Sequence, residues 1–349
     1  MRSLSFSIVL LFVSLVLNAQ IDTTFEKYIN LYPENTQLSI AIINNGDASY
    51  FGLKKIDNGY VYVVNKDSVF QIGSITKVFT ATLLAELVME GKVHLDDPFI
   101  QCIKEVNHPK DSTTFLQLAN HTSGFPRLPL NINLLTMDMH DPYKNYSDSM
   151  LIEYLNTPSP YTRNPGEKYN YSNLGAGLLG FSLSKCMDQS YGDLLKQYIF
   201  DPLDMSVSTL DSNAVKNQRV IGLQPNGKRA KIWDMNALIA AGGIFSTTTD
   251  LVKFAESQFY EDNDAMQLTQ QPTFTMSDQM RIGLGWHLIS KGENTWLWHN
   301  GAVGGFTSSM VVDAKNKNAV IILSNISPFH KDMQKMDELA FSLMDGQKK

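Results

Sequence analysis

Apolar and polar positions alternate strongly at both ends of the chain. In Gln37–Lys55, "QLSIAIINNGDASYFGLKK", β-branched alternation flanks Asn45-Gly46, a pairing that predicts two strands joined by a tight hairpin. "VYVVNKDSVFQIGS" adds more extended chain. From Ser74 the period changes: Ile75, Val78, Phe79, Leu83, Leu87 and Val88 fall at helical spacing, and Gly91 closes an amphipathic helix. The middle, about 95–240, is rich in Pro, Asn and Asp, with short helical runs at Asp148–Leu155 and Asn173–Cys186. Extended segments return in "TWLWHN", "GGFTSSMVVD" and "KNAVIILSN". A final helix is expected over about Phe329–Met344, with Met333, Met336, Leu339, Ala340 and Leu343 on one face. Strands at both ends around a helical middle imply an α+β fold. Its mainly antiparallel sheet draws on about 20–94 and 240–349, flanked by helices, with an inserted, mostly helical region over about 95–239.

Before that pattern begins, Arg2 precedes an apolar run from Phe6 to Leu17, followed by Asn18, Ala19 and Gln20. This reads as a signal peptide over 1–19, cleaved after Ala19, ahead of a single domain over 20–349. The expectation is an exported protein, periplasmic or extracellular, with no membrane anchor left after cleavage. The run falls short of the roughly 20 residues that span a bilayer. A net charge of −6 over 349 residues, with scattered basic and aromatic positions, argues against nucleic acid as a partner. An oxidising compartment permits a disulfide between Cys102 and Cys186, but two cysteines do not demand one. Cys186 lies on an apolar helical run, where a free buried thiol is the commoner outcome. The seven histidines (His94, His108, His121, His140, His287, His299, His330) form no metal-binding cluster, and no phosphate loop is present. No cofactor or metal is implied.

Candidate chemistry starts in "FQIGSITKVF". Gly73 permits a tight turn that sets Ser74 at a helix N-terminus, where backbone N–H groups favour developing negative charge. Lys77, one turn on, can reach the Ser74 hydroxyl, and desolvation or a neighbouring cation would make its amine a base. The plain alternative is an N-cap serine beside a solvated lysine. A second match to the same spacing, Ser182–Lys185, lies late in an apolar helix with no turn before it and serves as a decoy. Tyr171-Ser172-Asn173 stands at the start of a glycine-rich helix. Its tyrosine can relay protons if cations hold it near phenolate, and Asn173 can offer an amide to a substrate carbonyl. Tyr169 is the nearby decoy. His299-Asn300-Gly301 ends an apolar strand, where His299 can hydrogen-bond the relay and the backbone can supply an N–H to an oxyanion.

The three elements in this order resemble the serine β-lactamase and penicillin-binding-protein superfamily, most closely its class C β-lactamase-related branch. The motifs SxxK, Tyr-x-Asn and Lys/His-x-Gly are matched by Ser74-Ile75-Thr76-Lys77, Tyr171-Ser172-Asn173 and His299-Asn300-Gly301. "EGKVHLDDP", "LANHTSGFPRLP" and "AAGGIFSTTTDLVKF" are similar to accessory stretches of that branch, and the likeness runs from about 37 to 345. The resemblance implies a β-lactamase/transpeptidase-like fold and a serine hydrolase that forms an acyl-enzyme. In it Ser74 is the nucleophile, and Lys77 and Tyr171 share its proton. Asn173 binds the substrate amide, His299 and Gly301 belong to the substrate-binding strand, and the N–H groups of Ser74 and Ala302 form the oxyanion hole. The expected partner is a small molecule or peptide, cell-wall peptides included: an amide, a D-amino-acid peptide, an ester or a β-lactam. His299 stands where β-lactamases carry lysine; a histidine is mostly neutral near pH 7, which shifts weight to less acidic substrates. A silent relative that only binds cell-wall peptides is the alternative, but it would be expected to have lost Ser74, Lys77 or Tyr171.

Overall fold

The computed structural model describes residues 21–107, 112–133, 137–157 and 161–347; the signal-peptide run with its cleavage site, and His108, lie outside them. The hairpin forms as β1 (Gln37–Asn44) and β2 (Asp47–Ile56), with Asn45 and Gly46 both at positive φ (51° and 89°), as the two-residue turn requires. β3 (Gly59–Tyr62) extends it. The short pair β4 (Phe70–Gln71) and β5 (Phe245–Ser246) stands apart. β6 (Phe274–Ser277), β7 (Met280–Ile282), β8 (His287–Lys291), β9 (Asn294–Val303), β10 (Phe306–Asp313) and β11 (Asn318–Ser324) complete the strands. Nine of them form one antiparallel sheet in the order β3-β2-β1-β11-β10-β9-β8-β7-β6, so the early hairpin docks on the last strand, with Ile40 opposite Ile322.

Both faces of this sheet are covered, which explains why β11 reads as an unbroken apolar run rather than an alternation. Val320 and Ile322 pack towards the helix Lys335–Gly346 with Phe25 and Ile29, while Ala319, Ile321 and Leu323 join the larger core on the other side. The helix Thr76–Met89 belongs to that larger core. It is not the amphipathic surface helix its spacing suggests: all but three of its residues are buried, Thr80 and Thr82 included. The two threonine hydroxyls are satisfied by the carbonyls one turn back, at 3.0 and 2.9 Å.

The helices Asp148–Leu155 and Asn173–Met187 form as expected, each capped by the preceding serine: Ser147 Oγ accepts from Met150 N, and Ser172 Oγ accepts from Gly175 N. The last helix starts at Lys335, not at Phe329. Side chains hold the residues between in turns: Ser327 Oγ accepts from Phe329 N and His330 Nδ1 from Asp332 N. Strands β6 to β8 have no counterpart in the sequence pattern, because they are short and β6 is mostly exposed.

A free Cys186 is not what the structure contains. Cys102 and Cys186 form a disulfide, with Cα atoms 4.9 Å apart. Cys186 sits at the frayed, partly buried end of its helix rather than in the apolar middle, so its side chain meets the 3-10 turn Phe99–Cys102. Among the described residues no helix is long and apolar enough to cross a membrane.

Candidate active site

Ser74 lies in a single 3-10 turn, Gly73–Ile75, that leads into the buried helix. It is not an N-cap: neither helical segment there has a side-chain cap. Gly73 has φ +55°, and a Cβ on it would stand 2.7 Å from Ala302 N. A Cβ on Gly301 would collide with the Ile72 carbonyl oxygen. The two glycines therefore let β9 close against the Ser74 turn, and Ser308 Oγ, donating to the Ile72 carbonyl at 2.8 Å, pins the approach from β10.

Lys77 Nζ stands 2.9 Å from Ser74 Oγ and donates to the Ala241 carbonyl at 2.7 Å. The side chain is buried, with only 3% exposure and no carboxylate partner among the described residues. Burial, and then the Arg127 guanidinium, hold its amine well below the ordinary lysine value. A neutral amine that spends one N–H on Ala241 keeps a lone pair for the serine proton.

Tyr171 precedes the helix Asn173–Met187 and hydrogen-bonds Ser74. The expectation of a near-phenolate tyrosine fails. Burial pushes the hydroxyl up to about 12, outweighing the lowering by Ser74 and Arg127, so it is protonated at neutral pH. Its ring is flanked by Lys77 Nζ at 4.9 Å, the Arg127 guanidinium at 5.1 Å and the His121 ring at 4.5 Å. Asn173 is nearly buried; its amide nitrogen donates to the Tyr143 hydroxyl at 3.2 Å and its backbone N–H to the Arg127 carbonyl at 3.0 Å.

His299 points behind the cleft. It is 1% exposed, its Nδ1 is 2.6 Å from the Asn300 carbonyl, and its ring centre is 6.4 Å from that of Tyr171 without a hydrogen bond between them. Burial, then His287 and Lys77, hold its pKa well below the ordinary value, so it is neutral. The expected direct bond from His299 to the relay is thus absent: strand alternation turns Trp298, Asn300 and Ala302 to the cleft and His299 away from it.

Ser74, Tyr171, Asn173 and Ala302 line a cleft of about 470 Å³ with Arg127, Tyr143, Trp233, His287, Trp298 and Phe329 among the other walls. Sequence reasoning did not single out these other residues. Arg127 and His121 sit in "HTSGFPR", a stretch whose likeness to the branch singles out neither residue; Trp233 lies in a loop without periodicity, and Phe329 lies in the turn where the sequence pattern expects the last helix to begin. Ser182 is buried with its hydroxyl donating to Leu178 and Leu179 carbonyls, Lys185 pairs with Glu105 at 2.6 Å, and the Tyr169 hydroxyl meets His287 Nε2 at 3.1 Å. Among the described residues no group of three or more His, Cys, Asp or Glu is placed to hold a metal ion.

A family model described as Beta-lactamase matches residues 27–344. A beta-lactamase from Pseudomonas fluorescens is 27% identical over 259 residues, covering 72% of this chain and 69% of the relative. A beta-lactamase from Escherichia coli (strain K12) is 23% identical over 326 residues, covering 82% and 83%. The D-alanyl-D-alanine-carboxypeptidase/endopeptidase AmpH of the same strain is 27% identical over 282 residues, covering 74% and 71%.

Proposed function

The chain belongs to the beta-lactamase family and is a serine hydrolase; we propose that it works through an acyl-enzyme at Ser74, with Lys77 as the base. The observation that carries this reading is the buried Lys77 amine, 2.9 Å from the serine hydroxyl and held well below the ordinary lysine pKa by desolvation.

The donor carbonyl sits against the N–H groups of Ser74 and Ala302. Lys77 takes the Ser74 proton as Oγ attacks the carbonyl carbon, and the negative charge collects on the carbonyl oxygen. Collapse of that adduct breaks the bond to the leaving nitrogen or oxygen, which takes the proton of Tyr171; the Lys77 ammonium, beside the Tyr171 ring, then returns a proton to the phenolate. Water then attacks the acyl-enzyme with the same pair as base and acid, releasing the carboxylic acid and Ser74. Tyr171 acts here as a neutral hydroxyl that passes a proton, and Lys77 supplies the basicity. Asn173 holds the amide or carbonyl of the donor.

The donors are esters, amides and D-amino-acid peptides, cell-wall peptides among them, ahead of β-lactams. The relatives' names bring both β-lactams and D-alanyl peptides into range, and the neutral, buried His299 favours donors without a carboxylate on the strand side. The site acts in an exported domain over 20–349 after loss of 1–19, which N-terminal sequencing at Gln20 would support and a retained Met1 would refute. A silent peptide-binding relative is disfavoured by Ser74, Lys77 and Tyr171 standing together in contact distance.

Intact-mass spectrometry after a fluorophosphonate, a penicillin and a p-nitrophenyl ester tests the reading. Ser74→Ala should abolish labelling and lower turnover by about 10³-fold or more, while Ser182→Ala leaves both largely unchanged. Equal behaviour of the two variants would sink the assignment.

A further inference from the structure

The cleft has one fixed charge on its walls. Among the described residues its lining contains no Asp or Glu, His287 is held neutral by burial with a pKa lowered to about 4, and Lys77 lies outside the lining with its amine held well below the ordinary lysine value. Arg127 alone among the lining residues carries a permanent cation. Its side chain is exposed, its guanidinium rests 5.1 Å over the Tyr171 ring, and no carboxylate among the described residues pairs with it. Other cations nearby are spoken for: Lys231 pairs with Asp138 at 3.0 Å.

The backbone around Arg127 is held as part of the site rather than as a free loop. Its carbonyl accepts from the N–H groups of Asn173 (3.0 Å) and Leu174 (3.3 Å), the first turn of the helix that carries Asn173. The preceding Pro126 carbonyl accepts from Ser172 Oγ at 2.6 Å. The residue is thus locked to the Tyr171–Asn173 wall, where the acyl part of a donor held by Asn173 would lie. The opposite wall, β9, offers no charge because His299 is turned away and neutral.

We propose that Arg127 is a specificity residue that binds a carboxylate on the acyl side of the donor, so that this hydrolase prefers acyl groups bearing an acid. The inference rests on the acyl-enzyme reading above and names the substrate class of that site. The cation has moved, in effect, from the strand to the helical wall. A guanidinium already stacked on an aromatic face gives a planar fork for two carboxylate oxygens at little further ordering cost. An arginine left unpaired in a cleft without acids has no neighbour among the described residues that neutralises it, and a substrate acid supplies one.

The test uses two p-nitrophenyl esters of matched length, the glutarate monoester with its free carboxylate and the corresponding neutral methyl ester. Wild type should favour the anionic ester in kcat/KM by roughly 10- to 100-fold, the range of a charge-assisted hydrogen bond, and the preference should shrink with added salt. Arg127→Gln should erase the preference, mainly through KM of the anionic ester, and Arg127→Lys should recover part of it. An anionic-to-neutral ratio that is the same in wild type and Arg127→Gln, or a wild type that favours the neutral ester, overturns the proposal. Fluorophosphonate labelling of Ser74 separates the two levels: a labelled enzyme with an unchanged ratio refutes the role of Arg127 alone, whereas an enzyme that never labels refutes the acyl-enzyme reading and this inference with it.

Discussion

The Lys77 amine faces the Tyr171 ring, 4.9 Å from its centre, and burial disfavours the charged form of both groups. Burial acts in opposite directions on the two: it lowers the lysine pKa and raises that of the tyrosine, because in each case the charged form loses its water. The pair therefore rests as amine and phenol, with the serine hydroxyl in contact with both.

Groups that share one proton transfer should fail together. Lys77→Ala and Tyr171→Phe should each cost nearly as much kcat/KM as the double variant, while Tyr169→Phe should be mild. Simple additivity in the cycle would mean that the two act independently.

Activity should survive mild acidification better than an ordinary lysine base would allow, since the Lys77 amine is already deprotonated well below its usual pKa. The acidic limb of kcat/KM for a neutral ester should belong to Lys77 and lie far below 10. Replacing Arg127 by Gln removes a cation that disfavours Lys77 protonation, so the limb should move to higher pH. A limb that stays in place, or moves lower, would contradict the placement of that charge.

His299→Lys puts an ammonium where the structure holds a neutral ring. Ester turnover should fall, because a second cation beside the site further disfavours the proton on Lys77 that acylation creates. The longer, flexible lysine stem has the reach to carry its ammonium past the turned-away ring position to the strand edge, so binding of carboxylate-bearing β-lactams should strengthen. Wild type should hydrolyse penicillins more slowly than small esters, and an ester-to-lactam ratio unchanged by His299→Lys would defeat the argument.

Stability should drop on acidification below about 6.5, the unfolded histidine pKa. His121 and His299 are buried and neutral, with folded pKa values held well below that figure. Between the two values the unfolded chain binds more protons, so the stability of the fold rises with pH up to 6.5 and is lost as pH falls. Each such histidine contributes up to about 1.4 kcal/mol per pH unit in that window. Denaturant midpoints for wild type and His299→Gln between pH 7 and 5 should show the shallower slope in the variant; parallel curves would refute it.

Gly301→Ala should lose most activity even where the protein still folds, because a methyl group there forces the β9 edge away from the Ile72 carbonyl and the Ser74 turn. Circular dichroism together with fluorophosphonate labelling rates distinguishes this from unfolding. Wild-type labelling in the variant would mean that the close approach does not matter.

The two-strand hairpin at Asn45-Gly46, the helical runs from Asp148 and Asn173, and the apolar runs of β9 to β11 were all legible in the chain, because each depends on neighbours within a few residues. The spacing and order of Ser74, Lys77, Tyr171 and Asn173 carried the family likeness in the same way, without reference to packing. The tertiary structure decided what no local pattern encodes. It set which way β9 faces, and so that His299 is buried behind the cleft while Arg127, in a stretch whose family likeness assigns it no charge-bearing role, is the cleft's one fixed charge among the described residues. It brought Cys102 to Cys186 across 84 positions and made the 76–89 helix a core element rather than a surface one. It also set the direction in which each partner's pKa moves: residue types name an amine and a phenol, but desolvation, which depends on everything packed around them, lowers the one and raises the other.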